Sequence, residues 1–294
     1  MVDGRSQPKK RKPDTCMKID LPLTGGFALQ IASGTNRSAS YPTARIQKGL
    51  VLYYDGQDLS EEAVGFGVPI LKRGLQTIFP GEVELYPHEG SLPRQVSARY
   101  KLNLEEKITR TGNGTIKNRL VYASKNSLAA VIRRLPFMRG LLTRISNLLR
   151  STLAWETTYE PSGFFTYVTL TYTIDASAGR IKVELMGADF IPGSISEIIV
   201  MNEQGADHFD QYQDSDGLSQ LRNEIGCWDP VLAAQASFID NTHQVSFSLP
   251  QVNGARLYRG RELVDNRLAW SGFGYSFSPT IDHFSYEITV KRLP

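Results

Sequence analysis

The sequence predicts an all-β fold: a large antiparallel β-sandwich of the supersandwich type, with a basic amphipathic helical hairpin inserted. Three observations lead there. Apolar and polar residues alternate with period two in both halves of the chain, which sorts side chains onto the two faces of a strand. No composition break or 34- to 40-residue repeat divides the 294 residues, 41% of them hydrophobic, so one large core is expected rather than a propeller or solenoid. A single segment departs from the alternation, with apolar residues at helical spacing.

Taken in order, alternation appears at Phe27, Leu29 and Ile31, and again at Leu50, Leu52 and Tyr54. From Gln95 to Leu104 the residues Val96, Ala98, Tyr100, Leu102 and Leu104 form one face, and Gln95, Ser97, Arg99, Lys101 and Asn103 the other. From Phe164 to Ile174 the inward set is Phe164, Val168, Leu170, Tyr172 and Ile174, with Thr169, Thr171 and Thr173 opposite. Ala178-Gly179 marks a turn, and Ile181, Val183 and Leu185 resume the pattern, which predicts a hairpin of long strands. Val245 to Leu249, Phe273 to Phe277 and Phe284 to Val290 alternate likewise, with shorter strands expected at Ile198 to Met201 and Ala255 to Tyr258. Half-buried strands of this kind close most naturally as a sandwich.

The exception runs through Leu128, Val131, Leu135, Met138, Leu142, Ile145 and Leu149. Pro136 and Gly140 interrupt it, so two short helices are expected at about 126–150, kinked at the proline. The domain plan is therefore a disordered basic tail at 1–18 and one sandwich domain at 19–294 carrying this insertion.

Charge is uneven although the formal total is only +3. The tail holds Arg5, Lys9, Lys10, Arg11 and Lys12 against Asp3, and residues 125–150 hold Lys125, Arg133, Arg134, Arg139, Arg144 and Arg150 with no acid. The rest of the chain is mildly acidic, which argues against a body that wraps nucleic acid. No apolar stretch is long enough to span a bilayer, and the N-terminus lacks a secretory h-region, so a cytoplasmic protein is expected. The run Lys9–Lys12 would mean nuclear import only in a nucleated cell. The helical segment, with Arg133, Arg134, Phe137, Arg139, Leu141 and Arg144, is the candidate docking element for a membrane surface or protein partner; packed on its own domain, it would be a cover or lid.

Chemistry-bearing motifs are sparse. Cys16 and Cys227 allow at most one bridge, and Cys227, with no base beside it, reads as a structural thiol. Gly65-Phe66-Gly67 followed by Pro69 permits close backbone approach but is not a dinucleotide fingerprint. His88, His208, His243 and His283 show no HxH or HExxH spacing, so no metal or other cofactor is expected. The acid-rich loop Asp207 to Gly217 fails as an EF-hand, because the frame set by Gly217 puts Tyr212 first and Asn223 twelfth; a non-EF calcium site around Asp210, Asp214 and Asp216 is left open.

The candidate catalytic groups are His208 as proton-transfer residue, with Glu62 or Asp210 as its partner. Candidate ligand contacts are Arg73, Trp228, Arg259, Trp270 and Tyr275, since sugar rings stack on aromatic faces and charged side chains bind hydroxyls and carboxylates. At the level of the fold alone, a large sandwich with such long strands resembles those of sugar-epimerising enzymes and polysaccharide lyases. The expected function is binding or modification of a carbohydrate in a concave sheet face or strand-end cleft; the alternative is a non-catalytic peripheral-membrane or scaffold protein docking through 125–150.

Overall fold

A computed structural model describes residues 17–34, 46–74, 76–88, 90, 94–110, 155–188, 193–226, 228–264, 268–281 and 283–294. These residues are nearly all strand: none is α-helical, and one short 3-10 turn spans Arg222–Glu224. The expected helical hairpin with Arg133, Arg134, Phe137, Arg139, Leu141 and Arg144, the run Lys9–Lys12, Cys16 and Cys227 lie outside the described residues.

The strands form two antiparallel sheets. The small one runs in the order β1 (Lys18–Pro22), β2 (Phe27–Ala32), β3 (Val51–Tyr54) and β4 (Gln57–Asp58). The large one contains β5 (Phe66–Arg73), β6 (Gln76–His88), β7 (Arg94–Arg110), β8 (Trp155–Asp175), β9 (Arg180–Ala188), β10 (Glu197–Gly205), β11 (Gln211–Asp214), β12 (Ser219–Leu221), β13 (Asp229–Pro230), β14 (Gln235–Asp240), β15 (Val245–Pro250), β16 (Ala255–Val264), β17 (Leu268–Phe277) and β18 (Phe284–Arg292). Its spatial order is β12-β11-β14-β15-β18-β9-β8-β7-β6-β5-β10-β17-β16-β13.

A fourteen-stranded open sheet does not stay flat, because twist accumulates from strand to strand. Here the two wings face each other. Phe247 of β15 lies 5.1 Å from Phe66 of β5 and 5.9 Å from Phe273 of β17, ring centre to ring centre, and Phe238 of β14 lies 4.9 Å from Phe273. Strands far apart in sheet order therefore share one interior, and the continuous sheet becomes a sandwich. The expected hairpin is present, with Asp175 opposite Arg180 and Tyr172 opposite Val183.

The interior also holds a directed chain of hydrogen bonds. The Tyr172 hydroxyl donates to the Gly67 carbonyl (2.6 Å), so its single proton is committed and the Tyr100 hydroxyl, 2.7 Å away, must donate to it. The Gly67 amide and the Tyr286 hydroxyl donate to Asn202 Oδ1 at 3.0 and 2.8 Å. Five strands, β7, β8, β5, β10 and β18, are tied together through groups that would each cost about 1–3 kcal/mol if buried without partners. Burial holds the Tyr100, Tyr172 and Tyr286 phenols well above their ordinary range. The close backbone approach expected of Gly67 is made to this chain: the residue has φ +73°, and a Cβ there would lie 2.4 Å from Tyr172 Cε1.

The small sheet is joined to the large one where the site forms. Leu50 and Phe66 exchange backbone hydrogen bonds, the Glu203 amide donates to the Gly65 carbonyl, and the Gly205 amide donates to the Leu59 carbonyl. These bonds set the 59–65 loop beside the end of β10 and the turn that follows it.

Candidate functional site

Four side chains converge where three connections meet. Glu61 comes from the loop between β4 and β5, His208 from the connection between β10 and β11, Asp240 from the last position of β14, and His243 from the β14–β15 turn. Each connection is shaped locally. The His208 and Phe209 amides both donate to the Gly205 carbonyl, which curls the β10–β11 connection. Asp240 Oδ1 accepts the Thr242 and His243 amides at 2.8 and 3.1 Å, an Asx-type turn that fixes the hairpin end. Ser60 donates its amide and hydroxyl to Asp58 Oδ1, both at 2.7 Å. Lys48 Nζ holds the same loop through the Ser60 hydroxyl (3.2 Å) and the Glu61 carbonyl.

At the centre, Asp240 is fully buried and its Oδ2 lies 2.6 Å from His243 Nδ1 and 3.7 Å from His208 Nδ1. The other His208 nitrogen, Nε2, lies 3.5 Å from Glu61 Oε1. His208 thus stands between two carboxylates, while its ring packs 5.1 Å from that of His243, against which Tyr54 is set edge-on at 5.6 Å. The histidine side chains are each 14% exposed and Glu61 is 32% exposed, so the cluster opens to solvent most at Glu61.

Burial raises the Glu61 carboxyl above its ordinary range; His208 opposes the shift, and Asp207 and Asp58 add to it. Burial likewise lowers the Lys48 ammonium, against the pull of Asp58, Glu62 and Glu61. A carboxyl raised toward neutrality beside an imidazole can accept and return a proton at moderate pH. Nearby on the outer face of β10, Glu203 is buried, and its carboxyl is pushed up to about 8 by burial, with the Val64 amide opposing and Glu262 adding.

His208, Asp240 and His243 are also the one group of three among the described residues whose potential metal-ligand atoms all lie within 4.8 Å of one another. A divalent cation there would have to part Asp240 Oδ2 from His243 Nδ1. Ligand atoms around tetrahedral zinc stand about 3.3 Å apart for bonds near 2.0–2.1 Å, well beyond the 2.6 Å found. The arrangement is that of a carboxylate–imidazole pair.

The sequence-derived candidates distribute unevenly. His208 is in the cluster, but the acid facing its Nε2 is Glu61, the neighbour of Glu62; Glu62 is among the charges around Lys48. Asp210 is bound to Arg222, Oδ2 to Nε at 2.7 Å. Asp214 caps its own turn, accepting the Asp216 and Leu218 amides at 3.1 Å and the Tyr212 hydroxyl at 2.9 Å, and Asp216 is exposed at the tip, so the three aspartates do not converge.

Arg73 lies at the end of β5 with its guanidinium 5.5 Å from the Phe164 ring centre. Arg259 is buried over the Tyr212 ring at 3.8 Å, and Tyr275 is a core residue whose hydroxyl donates to the Pro250 carbonyl. Trp228 and Trp270 pack 5.9 Å apart over a floor of Gly260 and Gly274.

Fold and site together define an antiparallel β-sandwich with a polar, partly open cluster at its strand ends. No family model matches the chain, and no curated protein matches it. Comparison with solved structures finds loose likenesses. The chain is similar to an α-N-acetylgalactosaminidase, NagBb, from Bifidobacterium bifidum (TM-score 0.47, 10% identity, 93% of this chain and 36% of that one). It is similar to a protein in glycosyl hydrolase family 38 from Enterococcus faecalis (TM-score 0.43, 10% identity, 94% and 30%). It is also similar to the Slr1438 protein from Synechocystis sp. PCC 6803 (TM-score 0.41, 9% identity, 98% and 100%). The chain spans about a third of the length of the first two. Likenesses at these scores carry no functional argument.

Proposed function

We propose that the protein binds a carbohydrate at the open edge of the cluster and that Glu61 and His208 move a proton on it. The observation that carries this reading is the 3.5 Å approach of Glu61 Oε1 to His208 Nε2, two side chains that are both partly exposed. Asp240 supports His208 from the buried side, and the His243 ring packs against it. A sugar hydroxyl both donates and accepts, which suits an edge where a carboxylate and an imidazole stand together. In the simplest step, ring opening of an aldose, the anomeric hydroxyl gives its proton to the Glu61 carboxylate as the C1=O bond forms, the bond from C1 to the ring oxygen breaks, and protonated His208 gives its proton to that oxygen, leaving the protein's proton count unchanged. This needs no cofactor.

Saturation-transfer NMR with neutral and acidic aldoses tests the reading. The wild type should show saturable transfer to at least one sugar, and both His208→Gln and Glu61→Gln should weaken it by about tenfold or more, the loss of a hydrogen bond to a charged group. Absence of transfer to every sugar in the wild type would overturn it.

A further inference from the structure

The outer face of β10, β17 and β16 carries two tryptophans set over glycine. Gly274 is directly opposite Tyr258, and Gly272 is directly opposite Gly260. A Cβ on Gly274 would lie 2.5 Å from Trp228 Cη2, and one on Gly260 would lie 2.7 Å from Trp270 Cη2. Glycine inside a strand weakens it and marks a close approach, here that of an indole. Trp228 is held in place with φ +58°, an outlier for so bulky a residue. Trp270 is buried, whereas Trp228 and Tyr258 are both partly exposed, and their rings meet edge-on, 6.0 Å apart at 90°. Backbone strain is thus spent on an aromatic corner that stays open to water, which marks a binding surface more than a packing one.

The corner is continuous with the proton-transfer pair. Trp270 is directly opposite Gly205 of β10, and directly opposed residues share a face, with Cβ positions roughly 4.5–5.5 Å apart. A Cβ on Gly205 would lie 2.9 Å from Glu61 Oε2, so the Glu61 carboxyl sits beside the root of Trp270. From there the Trp270 indole reaches over Gly260 of β16, away from Glu61, and meets Trp228 at 5.9 Å between ring centres. Glu262, partly exposed and directly opposite Trp270, adds a hydroxyl acceptor on the same face. A sugar ring has C–H bonds on its faces, which pack on aromatic surface, and hydroxyls at its rim, which bind carboxylates. One ring held at Glu61 has the Trp270 indole between it and Trp228; a second ring linked to the first reaches the corner.

We propose that Trp228 and Tyr258 form a stacking subsite one sugar unit beyond Glu61, and that the ligand is a reducing disaccharide or longer glycan whose reducing end lies at Glu61 and His208. This rests on the carbohydrate reading above and narrows it to a substrate class. Ring opening needs a free anomeric hydroxyl, which a glycan carries only at its reducing end, so the neighbouring unit is the one that stacks.

Calorimetric titration of the full chain with D-glucose, cellobiose, lactose and maltose tests it. At least one disaccharide should bind about tenfold or more tightly than glucose. Trp228→Asn, a residue that tolerates positive φ, and Tyr258→Leu should each remove most of that preference while leaving glucose affinity unchanged, with thermal unfolding confirming that each variant is folded. Affinities no higher for any disaccharide than for glucose in the wild type, or a preference that survives in the folded variants, would overturn the subsite and leave the carbohydrate reading standing. Failure of all four sugars to bind would sink both.

Discussion

His243 Nδ1 and Asp240 Oδ2 lie 2.6 Å apart, and the aspartate is wholly buried at the end of its strand. The same carboxylate accepts the Thr242 and His243 amides through its other oxygen. One side chain therefore builds the β14–β15 turn and orients the histidine pair. Asp240→Ala should cost about 2–3 kcal/mol, since it strands several donors at once. Asp240→Asn, which can still cap the turn, should cost less. Urea unfolding of the two variants beside the wild type gives the ranking, and equal stability would show that the carboxylate is not holding the turn.

The cluster is organised by a hydrogen bond too short for two ligands of one tetrahedral zinc ion. Prolonged dialysis against EDTA should accordingly leave both the melting temperature and sugar binding unchanged. A fall of several degrees, reversed by adding zinc, would mark His208, Asp240 and His243 as a metal centre.

Gly67 tests the interior. Alanine at this position meets both the positive φ and the Tyr172 ring, 2.4 Å from the new Cβ. Gly67→Ala should destabilise by about 3 kcal/mol or more, and Tyr172→Phe, which removes the hydroxyl between Gly67 and Tyr100, by about 1–3 kcal/mol. Because the two residues touch, the double mutant should lose less than the sum of the single losses. Strict additivity would contradict the contact.

Glu203 makes the pH prediction. Its carboxyl is pushed up to about 8 in the folded protein, against about 4.3 in an unfolded chain. Between those values the folded state holds the extra proton, so this group's contribution is intact below the lower value and is lost as pH rises through the upper one. The slope reaches at most about 1.4 kcal/mol per pH unit. Glu203→Gln should therefore flatten the fall in stability between pH 5 and 8, and identical pH profiles for wild type and variant would contradict a protonated Glu203.

Much of the architecture was readable because most strands keep one face wet. β9 and β18 alternate in sequence and in burial, and β15 alternates in sequence although Ser248 is buried with its neighbours. β5 does not, because Phe66 to Leu71 is buried on both faces and reads as a plain apolar run, and β6 is broken by Pro80 and Pro87. The site was only partly legible. His208 stood out among acids, but its sequence neighbour Asp210 turns to Arg222, while its true neighbours, Glu61, Asp240 and His243, arrive from distant connections. The available hint was local: Asp240-Asn241-Thr242-His243 has the composition of an aspartate-capped turn, which places a histidine at a hairpin end. Its meeting with His208 depends on how the sheet curls, and no spacing in the chain encodes that.

The central claim is that Glu61 and His208 form a ligand-facing proton-transfer pair. It is tested most directly by following the His208 imidazole nitrogens by NMR during titration with D-glucose and D-glucuronate, in the wild type and in Glu61→Gln. The account predicts a saturable shift of Nε2, the nitrogen facing Glu61, that is reduced in the variant. Ring resonances unmoved by either sugar, while the rest of the spectrum reports binding elsewhere, would contradict it.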